Sequence, residues 1–552
     1  MPETYSLVGR PWLPVALVNG QREYVRLCDV TRPDIIRLDT GRPDCDISLT
    51  EFLIGLLAVA MGPKDRRDWK NRYKDPPTLA ELDAVLQPFG PAMTLDGDGE
   101  RFFQDREVLV GTATPVAALF MDAPAEHFQV EGRIVVLSRA GAALALATLQ
   151  TSAPAGGAGH RTSLRGGGPL TTLVVPGTRD SIEPTLWQRL WANIPTGFRA
   201  DVTDIATIGQ VFPWMAATRI SGKGGLTTTP DNVHAGQVFF GMPRRIRLIF
   251  QDNPQGRPCD LTGHVDDVIV TSYVTKPGGA NYTAWSRAHP LSPYYRVHES
   301  DPEFLPVHLK SSRVGYRQWL GIVMEAQTGL RVPARCLLEF RERAEDLEDF
   351  EPQVITGARL LVAGYAMDNM KPLDFAESLL PLVMTNDPEV SEAVRTLAHN
   401  WVQAADTAAN QLVSAVKLAL FGESSKVDRD STLLEAVKSR FWADTEEDFY
   451  DQLRAGTETF EQFTGDLADG KNTISQTSGG TWLKTLSRHV LAIFDDAVPI
   501  ENAESGRIKD VIAGRRMLGL LFSGYGKGGQ ALFALLNQQS PEPRLKGIKI
   551  SK

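Results

Sequence analysis

Apolar and polar positions along the chain fall into two regimes. Up to about residue 385 the apolar runs are short and broken by Pro and Gly. Beyond it they recur every three or four residues over long stretches. In the first regime Glu23–Val30 (EYVRLCDV) reads as strand. Leu49, Phe52, Leu53, Leu56, Leu57 and Ala60 share one helical face, which Ser48-Leu49-Thr50-Glu51 introduces as a capping box and Pro63 stops. Leu137–Leu149 reads as an Ala- and Leu-rich helix, and Leu170–Val175 as a strand. VFFGM, RIRLIF, DVIVTSYV, RCLLEF and RLLVAGY follow as short strand-like runs between Pro/Gly loops.

The second regime opens at Asn386-Asp387-Pro388, with Asp387 placed to cap a helix and Pro388 at its first position. Val394, Leu397, Trp401, Ala404, Ala408, Leu412, Ala415 and Ala419 form its apolar stripe, and Gly422 closes it. Further helices are expected from the capping box Thr432–Glu435, over Trp482–Asp496 and over Ile508–Phe522, with Ala531–Leu536 beyond. The pattern predicts an α+β fold: an irregular mixed α/β domain over 1–385, then a four-helix bundle over 386–552.

Composition narrows the function. The chain has 552 residues, 42% of them hydrophobic, which is globular composition. The longest apolar run, about Phe52–Gly62, is too short to cross a membrane, and the N-terminus lacks a leader pattern. Cys28, Cys45, Cys259 and Cys336 form no CxxC pair, so reduced thiols in a cytoplasmic protein are expected rather than a zinc site. A net charge of −9 excludes a general polyanion trap. The charge is uneven: between Glu501 and Lys552, nine Lys and Arg face four acids and leave that end at +5.

Enzyme signatures are absent. The chain has no Walker A loop, HxH, HExxH or GxSxG, and the glycine segment contains no GxGxxG. Asp266-Asp267 is a carboxylate pair placed to cap a turn before a strand. Two segments offer ligand chemistry. Lys64–Lys74 (KDRRDWKNRYK) interleaves basic residues with Trp69 and Tyr73, which suits either a nucleic-acid contact or a solvated helix face. From Gly156 to Gly168, six glycines fall in thirteen residues, together with His160, Arg161 and Arg165. This is either a long surface loop or a backbone that must come close to a ligand, with cations that can neutralise phosphate.

At RTSLRGGGPLTTLV (Arg161–Val174) the sequence resembles the large subunit, CasA, of the type I-E CRISPR surveillance complex Cascade. The opening LVGRPWLPV, the apolar run Phe52–Met61, the turn Arg101-Phe-Phe-Gln104, the segment LVAGYAMDNM (Leu361–Met370) and the helical C-terminal part resemble the family in the same order. The resemblance implies a non-catalytic subunit, without metal or cofactor, at one end of a crRNA-containing complex. Its implied partners are the backbone, small and handle-binding subunits, target double-stranded DNA and a helicase–nuclease.

The implied role is recognition of the protospacer-adjacent motif, largely from the minor groove, while guide pairing reads the target. The glycine loop matches Ala155–His160, with Gly156, Gly157, Ala158, Gly159 and His160 against DNA. The lysine finger falls at Lys276. The wedge that splits the first base pair falls at Asn369, flanked by Asp368 and Met370. Phe120–Arg133 matches a docking loop toward neighbouring subunits, and Arg515, Arg516, Lys546 and Lys549 are candidate contacts to the displaced strand. The chain departs from the family pattern in three places: Asn369 is one methylene shorter than the usual Gln, Ala158 interrupts the glycines, and Cys259 alone remains of a cysteine cluster found in some relatives. Two other readings stand beside this one: a purely architectural bridging subunit, and a phosphate-ligand enzyme using the glycine loop.

Overall fold

A computed structural model describes residues 4–121, 133–157, 159–178, 182–202, 204–222, 224–309, 313–326, 329–348, 352–368, 371–385, 387–422, 431–463, 467–499 and 507–541. Ala158, Asn369, Met370, Lys546, Lys549 and most of Phe120–Arg133 lie outside them. The chain divides into two compact units. The first comprises Met1–Val314, Gly321–Val323 and Leu330–Leu382; the second comprises Gly315–Leu320, Met324–Gly329 and Val383–Lys552.

The first unit mixes small antiparallel sheets with helices. Strand β1 (Leu13–Leu17) lies between β2 (Arg22–Val25) and β3 (Ile35–Leu38). Helix α1 (Pro43–Met61) starts five residues before the expected capping box, with Pro43 at its first turn. Ser48 and Glu51 are therefore mid-helix and buried, not caps. Because α1 is enclosed nearly all round, its apolar residues face several neighbours. Phe52, for example, meets Trp12, Phe102, Phe103 and Phe240.

Helix α2 (Arg66–Lys74) carries the basic-aromatic segment. Trp69 and Tyr73 are buried and stacked on each other. Trp69 Nε1 donates to Trp191 O at 3.0 Å, and Trp191 Nε1 returns a bond to Trp69 O at 2.8 Å. These rings anchor a solvated helix to the core, so the nucleic-acid reading of Lys64–Lys74 loses its stacking platform.

Helix α3 (Arg139–Ser152) is capped by Ser138 Oγ, which accepts from Gly141 N at 3.1 Å, and it leads into the glycine segment. Next come β4 (Thr171–Val175) and α4 (Leu186–Trp191), followed by the antiparallel pair β5 (Arg245–Asp252) and β6 (Val268–Lys276). VFFGM is not a strand; Ala235–Phe239 is a short 3-10 turn. RCLLEF opens α5 (Arg335–Glu348), also contrary to expectation. Cys336, Leu337, Phe340, Ala344 and Leu347 are buried at helical spacing, a period that a six-residue run is too short to display. Strand β7 (Arg359–Asp368) then pairs with β4 on one side and β8 (Lys371–Pro381) on the other.

The second unit is helical. Helix α6 (Pro388–Phe421) has Asp387 as cap, accepting from Glu389 N at 2.8 Å and Val390 N at 3.2 Å, and it ends at Gly422 with φ +81°. It packs against α7 (Thr432–Asp444), α8 (Glu446–Glu461), α9 (Leu467–Ala497), α10 (Ile508–Phe522) and α11 (Gly526–Leu535). The expected third helix is thus about twice as long as its apolar core, and α8 had no sequence counterpart. Trp401 stacks on Trp482 at 5.5 Å, while Tyr316 stacks on Phe449 and bonds Thr445 Oγ1 at 2.8 Å. No helix among the described residues is long and apolar enough to cross a membrane.

Candidate nucleic-acid interface

The glycine segment divides into two halves with opposite surroundings. In the first half, Ala155, Gly156, Gly157 and Gly159 are exposed. His160 N donates to Gly157 O at 2.8 Å, which closes a tight turn. Gly157 sits at φ +63° with open space where a side chain would begin. A Cβ on Gly156 would stand 2.5 Å from Arg244 Nη1, so a side chain there would displace the guanidinium. His160 is half-buried; burial, then the Arg244 charge, holds its imidazole below the ordinary range and keeps it neutral near pH 7.

Lys276 is the last residue of β6, paired in register with Arg245, and is half-buried. The turn that follows it touches the glycine loop. Gly278 N donates to Gly159 O at 3.0 Å, and Gly159 lies against Pro277. Ser221 ties the same place from behind: its N donates to Gly278 O at 3.0 Å, its Oγ donates to Gly279 O at 2.6 Å, and Arg161 Nε donates to that Oγ at 2.8 Å. Two sequence candidates more than a hundred residues apart therefore share one edge of the first unit.

The second half, Leu164–Pro169, points inward. A Cβ on Gly167 would stand 2.6 Å from Pro154 Cα, and one on Gly168 2.8 Å from Tyr365 Cβ. Arg165 is buried, with Nη2 on Glu51 Oε2 at 2.6 Å and Nη1 on Ser292 Oγ at 2.8 Å and Thr171 Oγ1 at 3.1 Å. Thr171 Oγ1 also donates to Glu51. Arg165 cannot neutralise phosphate, since its charge is spent on Glu51. His289 Nε2 lies 3.7 Å from the same carboxylate, yet burial and then Arg165 drive its pKa well below the usual value, so it stays neutral.

Asp368 is exposed at the end of β7 and pairs in register with Lys371. Asn369 and Met370 stand between them in sequence, outside the described residues. Met367 of the same strand packs beside Gly168, so the strand leading toward Asn369 rests on the packed half of the glycine segment. In the second unit, Arg515 and Arg516 are exposed on α10, and Arg515 Nε pairs with Asp495 at 3.0 Å. Asp266 is engaged as well: it accepts from Arg139 N and Nε at 3.0 Å each and from Nη2 at 2.6 Å. Burial works upward on its carboxyl, but these bonds hold its pKa below the usual value.

The sequence reading missed Arg244. Nothing in its local sequence marks it, because its part in the loop arises only when β5 is laid beside the end of α3. All four cysteines are free and buried. Among the described residues no group of three or more His, Cys, Asp or Glu side chains can hold a metal. A cavity of about 410 Å³ in the first unit is lined by Arg37, Asp46, Ile47, Leu173, Arg189 and Glu377 among others, and by no residue of the glycine segment.

Residues 6–493 match the family described as CRISPR-associated protein Cse1. Among solved structures, the fold is similar to Thermus thermophilus CasA (Cse1), with TM-score 0.67 and 16% identity, covering 94% of this chain and 99% of that one. Cse1 from Acidimicrobium ferrooxidans matches with TM-score 0.66 and 18% identity over 98% of this chain and 100% of that one. A chain of a structure described as a CRISPR RNA-guided surveillance complex matches with TM-score 0.60 and 16% identity over 94% and 100%.

Proposed function

The chain belongs to the family of CRISPR-associated protein Cse1, the large subunit of type I-E Cascade surveillance complexes, and on that premise we propose that it recognises the protospacer-adjacent motif in double-stranded DNA. It reads the motif from the minor groove, opens the adjacent base pair to start the R-loop and helps recruit the helicase–nuclease, with no chemistry of its own. Its working form is a cytoplasmic crRNA-containing complex with backbone, small and handle-binding subunits.

The observation that carries this reading is the hydrogen bond from Gly278 N to Gly159 O. It joins an exposed, glycine-rich turn to the turn after a lysine, which suits close backbone approach and a minor-groove cation on one edge. Gly156, Gly157, Ala158, Gly159, His160 and Lys276 form the reading edge. Asn369, flanked by Asp368 and Met370, enters the first base step as the wedge. Unstacking a base step costs a few kcal/mol, which guide pairing offsets. Arg515, Arg516, Lys546 and Lys549 supply charge for the displaced strand, whose binding is mainly electrostatic.

The test is duplex affinity of the crRNA-containing complex assembled with and without this chain, at fixed salt. Two targets are compared that differ only in the base pairs beside the protospacer. The account expects discrimination only when the chain is present. Equal discrimination without it would make the chain an architectural bridge.

A further inference from the structure

Among the described residues of the first unit, five arginines are buried over the whole residue: Arg139, Arg165, Arg244, Arg245 and Arg343; Arg341, half-exposed overall, also buries Nε and Nη2 without a hydrogen-bond partner. Four of the five face a carboxylate. Arg139 meets Asp266, Arg165 meets Glu51 and Arg245 meets Asp105, each at 2.6 Å, and Arg343 meets Glu339. Arg244 faces none among the described residues, and burial holds its pKa below the ordinary value. Burying a cation without a counter-ion is expensive, and folded proteins ordinarily pair such groups.

The surroundings of Arg244 hold it firmly. Gln150 clamps its backbone from α3, accepting from Arg244 N at 3.0 Å and donating to Arg244 O at 2.9 Å. Nη2 donates to Pro154 O at the entry to the glycine loop. Nη1 lies under Gly156, and Nε is buried with no hydrogen-bond partner among the described residues. Above it the exposed Gly156 and Gly157 carry no side chains. His160 beside it is neutral and offers no compensating anion.

We propose that Arg244 is kept without a protein counter-ion so that a backbone phosphate of the bound duplex supplies one, seated on the open side of the Gly156–Gly157 turn. This rests on the DNA-reading role of the glycine loop and adds a sequence-independent anchor beneath it. A phosphate contact fixes register and adds affinity without reading bases.

The experiment measures duplex affinity of the assembled complex at several salt concentrations, on targets with and without the motif. If the wild-type complex shows no motif preference, the function proposed above fails; the phosphate anchor is judged on salt dependence alone. Arg244→Gln is expected to weaken both targets by a similar factor and to flatten the slope of log K against log salt by about one. Arg244→Lys is expected to restore the slope. An unchanged slope in Arg244→Gln overturns the proposal. So does an equal loss in both variants confined to motif preference, which would mean that Arg244 only holds the loop through Pro154. If Arg244→Gln does not fold, single methylphosphonates are scanned along both strands beside the motif in a Lys276→Ala complex. One sensitive position supports the anchor, and a flat scan overturns it.

Discussion

The two halves of the glycine segment, Ala155–His160 and Leu164–Pro169, carry three glycines each and have opposite physics. Gly156, Gly157 and Gly159 lie exposed, while Gly167 and Gly168 are packed against Pro154 and Tyr365. The arginines divide in the same way: Arg165 is buried on Glu51, and Arg244, under the open half, has no carboxylate among the described residues. Glycine content therefore does not by itself mark a ligand edge. What marks it is where the missing Cβ would have pointed, and whether a nearby charge has been neutralised from within.

That contrast can be attacked at its packed end first. Glu51→Ala leaves Arg165 charged, buried and unpaired, which is expected to lower unfolding free energy by about 3–5 kcal/mol. Chemical denaturation of the chain reads this directly; an unshifted midpoint would mean that the packed half is not held by that pair. A smaller effect is expected at the open end. Lys276→Ala should leave stability nearly unchanged and flatten the salt slope of duplex binding by the complex by about one. An unaltered slope would place Lys276 in solvent and leave the edge to the glycines alone.

The smallest effect concerns pH. His289 is neutral when folded, with its pKa well below the usual value, whereas in the unfolded chain it takes up a proton below about pH 6.5. Its contribution is therefore full above pH 6.5 and declines as pH falls through that value. His289→Gln is expected to flatten the stability curve between about pH 7 and 5. Superimposable curves for the two proteins would contradict the neutral assignment.

Much of the helical unit was legible because its signals are local. Asp387, Pro388 and Gly422 fix the ends of α6 by backbone chemistry alone, and Ile508–Phe522 follows from periodicity. The first unit was harder to read. Ser48–Glu51 has the sequence of a cap, but Pro43 had already started the helix, and Glu51 is used instead by an arginine 114 residues away. RCLLEF looks β-like only while the charged residues after it are ignored. The resemblance to the family brought Gly157 and Lys276 forward as separate candidates, and the Gly278–Gly159 bond is what makes them neighbours. Arg244 carried no signal, since lacking a carboxylate partner among the described residues is a property of three-dimensional surroundings.

The most direct test of the central claim, that the open half reads DNA, is motif discrimination by a complex carrying Gly157→Asp. The site has open space and a left-handed backbone that Asp tolerates at roughly 1 kcal/mol, so the chain should still fold. Added bulk and negative charge at the reading edge should abolish the preference for the motif-bearing duplex while thermal unfolding shifts by only a few degrees. Wild-type preference in a folded Gly157→Asp complex would contradict the account and return the glycine loop to the status of an ordinary surface turn.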